Sequence, residues 1–505
     1  MVRARRVRRL LLAVATCSLL VGAATGCTSV LDRPALPSAG TADPRTGATV
    51  TTTAQSITPV TPDGLLAGPG VTDGAISLGV LTDPTRDRGF TDGVRLWQRS
   101  VNTTGGLCGR TIDILANGAN GVPDDPAAAY REIGTSVLGL LTLPAASSTT
   151  AGSPASPAST AARSTGASDS AGAGRPSSAG DSTGASGDGS GAASTGGGSG
   201  TAATGGGPVG STGGSTGTTG TGYSAGDALL AASIVVDQVP SVSPTGTSAQ
   251  LGPTRPIVAG ATADILAING LQYLLQTGSL QSGDVVGALS DGSAAAQNAL
   301  RGARWWAQEN GLQLDIRDAG TAPASWPSTA VVLAPIGPDK VATLLTREPQ
   351  VSVLTLLDGF DPQSWPADTV TAAADRLYVA TPAPAYGSDY PAAVAVSSMA
   401  AAVGSTDPGA RTLDGYATGA TWGRLIGQAC GDRSLTRTGV WTAATTVGPA
   451  SSTSLYGASD PGLVVQSALP ATRASSISVA DASAPTGLRA LTALEAAPGI
   501  DDYEP

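Results

Sequence analysis

A run of about 78 residues, 147–224, limits what this chain can fold into more than any other feature. It is almost wholly Ser, Thr, Gly, Ala and Pro, with five charges (Arg163, Asp169, Arg175, Asp181, Asp188) and hardly a large apolar side chain. Such a segment cannot bury enough apolar surface to offset the entropy of ordering it, so it is expected to be a disordered insert. Its Ser/Thr/Pro content also suits glycosylation, on composition alone. Residues 28–72 read as a flexible spacer and 471–505 as a loosely ordered tail. What remains to fold is 73–146 joined to 225–470, some 320 residues, enough for two domains of ordinary size.

Within those stretches strands and helices alternate. Ala75 to Leu81 reads as a buried strand, and 91–102 as a helix whose Val94, Trp97 and Val101 share one face. Thr111 to Leu115 and 138–143 are further strands, with a helix over Asp125 to Val137 between them and another at 225–238. The second half repeats the rhythm: a helix at 263–277, a strand Asp284 to Leu289, and a helix Ala294 to Asn310 closed by Gly311. Strands Leu312 to Ile316, Ala330 to Leu333 and Val351 to Leu356 follow. Short strands alternating with 10–15-residue helices predict an α/β fold with parallel sheets covered on both faces.

Composition excludes several activities. The chain has no histidine, which removes Ser-His-Asp hydrolysis, Cys-His catalysis and histidine zinc sites, and it has one lysine, Lys340. A formal charge of -10 and a pI near 4.6 argue against a nucleic-acid partner. Gly222-Tyr223-Ser224-Ala225-Gly226 matches a hydrolase nucleophile pattern, but it closes the low-complexity tract instead of following a strand. Asp124 and Asp125 fit helix capping better than metal binding. No P-loop or dinucleotide fingerprint follows a strand. No metal or cofactor is expected, and the chain does not read as an enzyme.

The N-terminus reads as an export signal. Arg3, Arg5, Arg6, Arg8 and Arg9 precede an apolar stretch from Leu10 to Val21, too short to span a bilayer. Ala23-Ala24-Thr25-Gly26-Cys27 resembles the lipobox of bacterial lipoproteins, which implies lipidation at Cys27; the alternative is an ordinary signal peptide with a chance cysteine. Anchoring on the extracytoplasmic face of the cell membrane follows from the lipidation reading. Cys17 leaves with the signal. Cys108 and Cys430 remain, either as a disulfide or as two buried thiols, and export favours the disulfide.

The strand Ile76-Ser77-Leu78-Gly79-Val80, the segment Val101-Asn102-Thr103-Thr104-Gly105-Gly106 and Gly109-Arg110-Thr111-Ile112-Asp113 together resemble the opening of type I periplasmic binding proteins, with branched-chain amino-acid receptors of ABC importers as the nearest group. Asp124-Asp125-Pro126, the stretch from Val239 to Ser248, Asp284 to Asp291 and Gly415-Tyr416-Ala417 extend the likeness over the folded part. It implies two Rossmann-like lobes joined by three crossovers. Lobe 1 would hold 73–250 and 387–440, and lobe 2 would hold 251–386 and 441–470. Both Cys108 and Cys430 then fall in lobe 1, which supports their pairing.

The resemblance further implies a ligand held between the lobes. Thr247, with backbone groups of Thr245, and Ser147 in the loop after the strand at 138–143 would meet a ligand carboxylate. Asp358 would meet its ammonium, and Tyr386 would pack on the ligand from a crossover. The nonfunctional readings are strand termination for the threonines, a solvated turn or helix cap for Asp358, and hinge packing for Tyr386. Two departures weaken an amino-acid site: the serine loop runs straight into the insert, and Asp291-Gly292-Ser293-Ala294 and Pro335-Ile336-Gly337-Pro338 lack the aromatic residues of the family. The expected function is an extracytoplasmic solute-binding receptor, for an amino acid or similar small polar solute, with ABC permease subunits as partners. The alternative is a cell-envelope sensor or scaffold of the same fold.

Overall fold

The computed structural model describes residues 61–83, 86–119, 121–143, 230, 233–253, 255–321, 326, 330–405 and 408–505. The signal segment, Cys27, Ser147 and the whole of 147–224 lie outside the described residues, as does the spacer up to residue 60. Among the described residues no helix is long and apolar enough to cross a membrane.

After a short strand β1 (Leu66–Ala67), the first lobe is built as strand–helix–strand: β2 (Ala75–Leu81), α1 (Arg88–Thr103), β3 (Thr111–Ala116), α2 (Pro126–Ile133), β4 (Gly139–Thr142), then β5 (Ser241–Ser243) and β6 (Ile257–Val258). These form one sheet of order β3-β2-β4-β5-β6 with every pair parallel. Ile76, Leu78 and Val80 of β2 are wholly buried, as a central strand covered on both faces requires. Asp125 caps α2 by accepting from the Ala128 N–H at 2.7 Å, with Pro126 in the first turn.

The second lobe runs α3 (Ala263–Gln276), β7 (Val285–Ser290), α4 (Ala294–Asn310), β8 (Gln313–Asp318), β9 (Val331–Leu333), α5 (Pro338–Arg347), β10 (Ser352–Leu356), α6 (Ala367–Ala373) and β11 (Leu377–Thr381). Gly311 ends α4 with φ +67, the left-handed cap that glycine adopts without strain. The chain then returns to lobe 1 through α7 (Pro391–Ala402), α8 (Thr412–Gly431), β12 (Ser434–Leu435), which pairs in parallel with β1, α9 (Arg437–Thr446) and α10 (Pro461–Ser467). Cys108 and Cys430 form a disulfide with Cα atoms 6.3 Å apart, tying the end of α8 to the turn before β3.

Helices α1 and α8 touch backbone to backbone. A Cβ on Gly93 would lie 2.0 Å from the Thr412 carbonyl oxygen, and one on Gly415 would lie 2.0 Å from that of Phe90. One turn further along, Gly419 receives the Trp97 ring, and Trp422 reaches across to donate its indole N–H to Leu140 O at 3.0 Å.

Four domain boundaries differ from the sequence reading. The segment 441–470 belongs to lobe 1, because Ala443, Ala444, Leu455, Tyr456 and Val465 are buried in that lobe's core. Lobe 1 also extends past 250 to take in β6. Residues 471–505 are not a loose tail: β13 (Ser476–Ala480) pairs antiparallel with β11, and β14 (Leu488–Ala490) extends the lobe 2 sheet to the order β14-β13-β11-β10-β9-β7-β8. Small residues disguised this strand, yet Ser476 and Ser478 are as buried as Ile477 and Val479. The spacer ends earlier than 72, since Asp63 already holds the buried Arg110 guanidinium at 2.9 Å and β1 lies at 66–67.

Candidate functional site between the lobes

The chain crosses between lobes after β6, after β11 and before β13. These passages are held by side-chain hydroxyls. Thr245 donates to the Ala261 carbonyl at 2.7 Å, Ser243 to the Thr245 carbonyl at 2.8 Å, and Thr381 to the Ala383 carbonyl at 2.6 Å. Gly260 passes so close to its neighbours that a Cβ there would sit 2.4 Å from the Pro244 oxygen. Beside this hinge the fully buried Asp264 accepts from Thr262, from Ser248 on the lobe 1 side, from Asn298 of α4 at 3.2 Å and from the Tyr503 hydroxyl at 2.9 Å. The C-terminal segment is therefore wired into the hinge.

A cavity of about 310 Å³ opens between Arg86, Gly89 and Arg411 on lobe 1 and Asp358, Phe360 and Thr486 on lobe 2. An ion-pair chain crosses it. Arg411 precedes α8; its Nη2 lies 2.5 Å from Asp358, which follows β10, and its Nε lies 3.3 Å from Asp87 at the start of α1. Asp87, 1 % exposed, also holds Arg86 at 2.9 Å. Burial alone would lower the Arg411 pKa, but Asp358 and Asp87 outweigh it and the net shift is upward. In the first turn of α8, Asp414 is buried, and among the described residues neither of its carboxylate oxygens has a donor. Burial pushes its pKa up to about 7, opposed by Arg411 and reinforced by Asp358.

Of the residues singled out from sequence, Asp358 lines this cavity; Thr245, Thr247 and Tyr386 do not. The Thr245 hydroxyl is engaged by the crossover backbone, and the Thr247 hydroxyl lies 3.3 Å from Gln250 Oε1. Tyr386 is half-buried against the lobe 1 core. Arg86, Asp87, Arg411 and Asp414 were missed. The usable signal was Arg411-Thr412-Leu413-Asp414, two opposite charges one helical turn apart, with no further charge from 408 to 423. Among the described residues no group of His, Cys, Asp and Glu could hold a metal ion.

No protein-family model matches the chain, and no curated protein does. Solved structures do. A fatty acid ABC transporter substrate-binding protein from Thermomonospora curvata superposes with a TM-score of 0.63 at 20% identity, covering 88% of this chain and 98% of that one. A branched chain amino acid ABC transporter protein from Thermus thermophilus with bound valine gives 0.51 at 11% identity, over 85% and 98%. The fold is that of the type I periplasmic binding proteins. A solute binding protein from R. palustris in complex with benzoate matches this type I fold with a TM-score of 0.50 at 11% identity, over 84% and 98%. The two lobes of this chain, each with a parallel-sheet core, and its three crossings correspond to the architecture that the sequence resemblance implied.

Proposed function

We propose that this protein is an extracytoplasmic solute-binding receptor, anchored by a lipid on Cys27, that closes its lobes around a small solute and presents it to the permease of an ABC importer. The observation that carries this reading is the cavity of about 310 Å³ with one wall from each lobe, within the usual size range of a small-ligand site. The type I neighbours named above are described with a fatty acid, with valine and with benzoate, all carboxylates. An amino acid or similar small polar solute fits the same class. The protein performs no chemistry; its work is a shift from open to closed lobes. Of the candidate contacts Thr245, Thr247, Ser147, Tyr386 and Asp358, the one that lines this cavity among the described residues is Asp358. An α-amino ligand would have to share Asp358 with Arg411, so the affinity for such ligands should rise when Arg411 is replaced by Met. Isothermal titration of valine into both proteins measures this; equal or weaker binding by the variant removes Asp358 as the ammonium partner.

The receptor role predicts thermal stabilisation by ligand. In a screen of aliphatic amino acids, fatty acids and aromatic carboxylates, one class at about 100-fold its Kd should add about 2.7 kcal/mol to the unfolding free energy. A flat response throughout, at millimolar concentration, would transfer weight to a second reading as an envelope sensor or scaffold. That second reading draws on one observation: the Asp87–Arg411–Asp358 chain joins the lobes through the protein's own side chains.

A further inference from the structure

Three acids surround Arg411, and only two of them hold it. Asp358 accepts from the guanidinium and so joins lobe 2 to lobe 1, while Asp87 forms an ion pair with it inside lobe 1. The third, Asp414, stands three residues on in the same helical turn, the spacing at which an arginine and a carboxylate can meet, and it is 2 % exposed. Among the described residues no donor satisfies either of its oxygens. A buried carboxylate in that state is costly unless it is neutral or acquires a cation. Among the described residues the cation that acts on Asp414 is the Arg411 guanidinium, already engaged by the other two acids.

We propose that Asp414 is a proton-operated control on lobe closure. Neutral Asp414 leaves Arg411 free to bridge Asp87 and Asp358, which favours the closed form; ionised Asp414 competes for Arg411 and releases lobe 2. This goes beyond the receptor reading and needs no ligand.

The charged and titratable neighbours support it from each side. Arg86 and Asp87 stand at the start of α1, Asp358 approaches from lobe 2, and Arg411 lies on the same turn. Tyr456 approaches from the segment between α9 and α10, where its hydroxyl donates to the Asp414 backbone oxygen at 3.0 Å and lies 3.0 Å from the Thr418 hydroxyl. Burial and Asp414 push the Tyr456 pKa far up, so Tyr456 stays neutral and brings no competing charge.

The sign follows from proton counting. With the Arg411 bridge formed, as in this structure, burial holds the proton on Asp414 up to about pH 7. In the open form Arg411, released by Asp358, can pair with Asp414 and hold its pKa in or below the ordinary carboxylate range. Closure therefore takes up a proton. It is favoured at acid pH and weakens as pH rises towards 7, with the closed-to-open ratio falling by up to about tenfold per pH unit inside that window.

Small-angle X-ray scattering of the purified full-length protein at about pH 5 and about pH 8 tests this, the two values bracketing the titration. The wild type should be compact at the lower pH and expanded at the higher, and Asp414→Asn should stay compact at both. Identical wild-type profiles at the two pH values, or an Asp414→Asn variant that keeps the wild-type response, would overturn the proposal. If Asp414→Asn does not fold, Asp358→Asn decides. It should be expanded at both pH values, and an unaltered pH response in that variant would be equally fatal.

Discussion

Gly93→Val should prevent lobe 1 from folding. The new Cβ alone would lie 2.0 Å from the Thr412 carbonyl and 2.9 Å from the Tyr416 amide nitrogen. Both obstacles are backbone, so no side chain can rotate away and α1 must separate from α8. That separation would expose Phe90, Val94, Trp97, Leu425 and Ile426, all buried in the lobe 1 core. Overpacking with side-chain relief costs about 1–3 kcal/mol, and a forced helix displacement costs more, a large share of a total stability of about 5–15 kcal/mol. Gly93→Ala should already lose about 3 kcal/mol or more, although alanine gains about 1 kcal/mol in helix propensity. Gly427 of the same α8 provides the control, since a Cβ there meets nothing within 4 Å. Gly427→Ala should therefore be neutral or stabilising by up to about 1 kcal/mol. Denaturant midpoints decide the matter: a Gly93→Ala protein as stable as Gly427→Ala would show that the close helix crossing does not constrain the fold.

Loss of the Cys108–Cys430 bond should be the second large effect. It closes a loop of 322 residues, and removing it with the Cys108→Ser, Cys430→Ser pair should cost about 2–5 kcal/mol through the greater freedom of the unfolded chain. Reduction of the wild type should produce the same loss. Because both ends lie in lobe 1, the double variant should keep the pH response and ligand response of the wild type at temperatures where it stays folded. A double variant with an unchanged melting temperature would mean that the bond contributes nothing to stability, and a changed lobe response would mean that it restrains closure.

The reach of sequence reasoning differed by element. Strands β2, β4, β7 and β10 were legible because mostly apolar runs of four to seven residues bounded by turn residues have few other solutions. Strand β13 was not, because Ser-Ile-Ser-Val-Ala carries little hydrophobicity and its burial comes from β11 and β14 on either side. The fate of 441–470 was also hidden. The alternating pattern shows that α9 has an apolar face but not which lobe receives it, and the choice is made by contacts with α8.

The site shows the same division. Asp358 was found because the family resemblance places an acid after that lobe 2 strand. Its engagement by Arg411, 53 residues on, could not be read, since the chain passes through lobe 2 and back before supplying that guanidinium.

By itself the sequence determined the α/β alternation of the folded body, the absence of histidine chemistry, and the two cysteines available to pair there. Those depend on local composition and periodicity, which every residue carries with it. Only the tertiary structure decided which lobe receives each returning segment, how closely α1 and α8 approach, and which acid is left without a partner beside Arg411. These depend on distances between residues far apart in the chain, and such distances exist only once the lobes have packed.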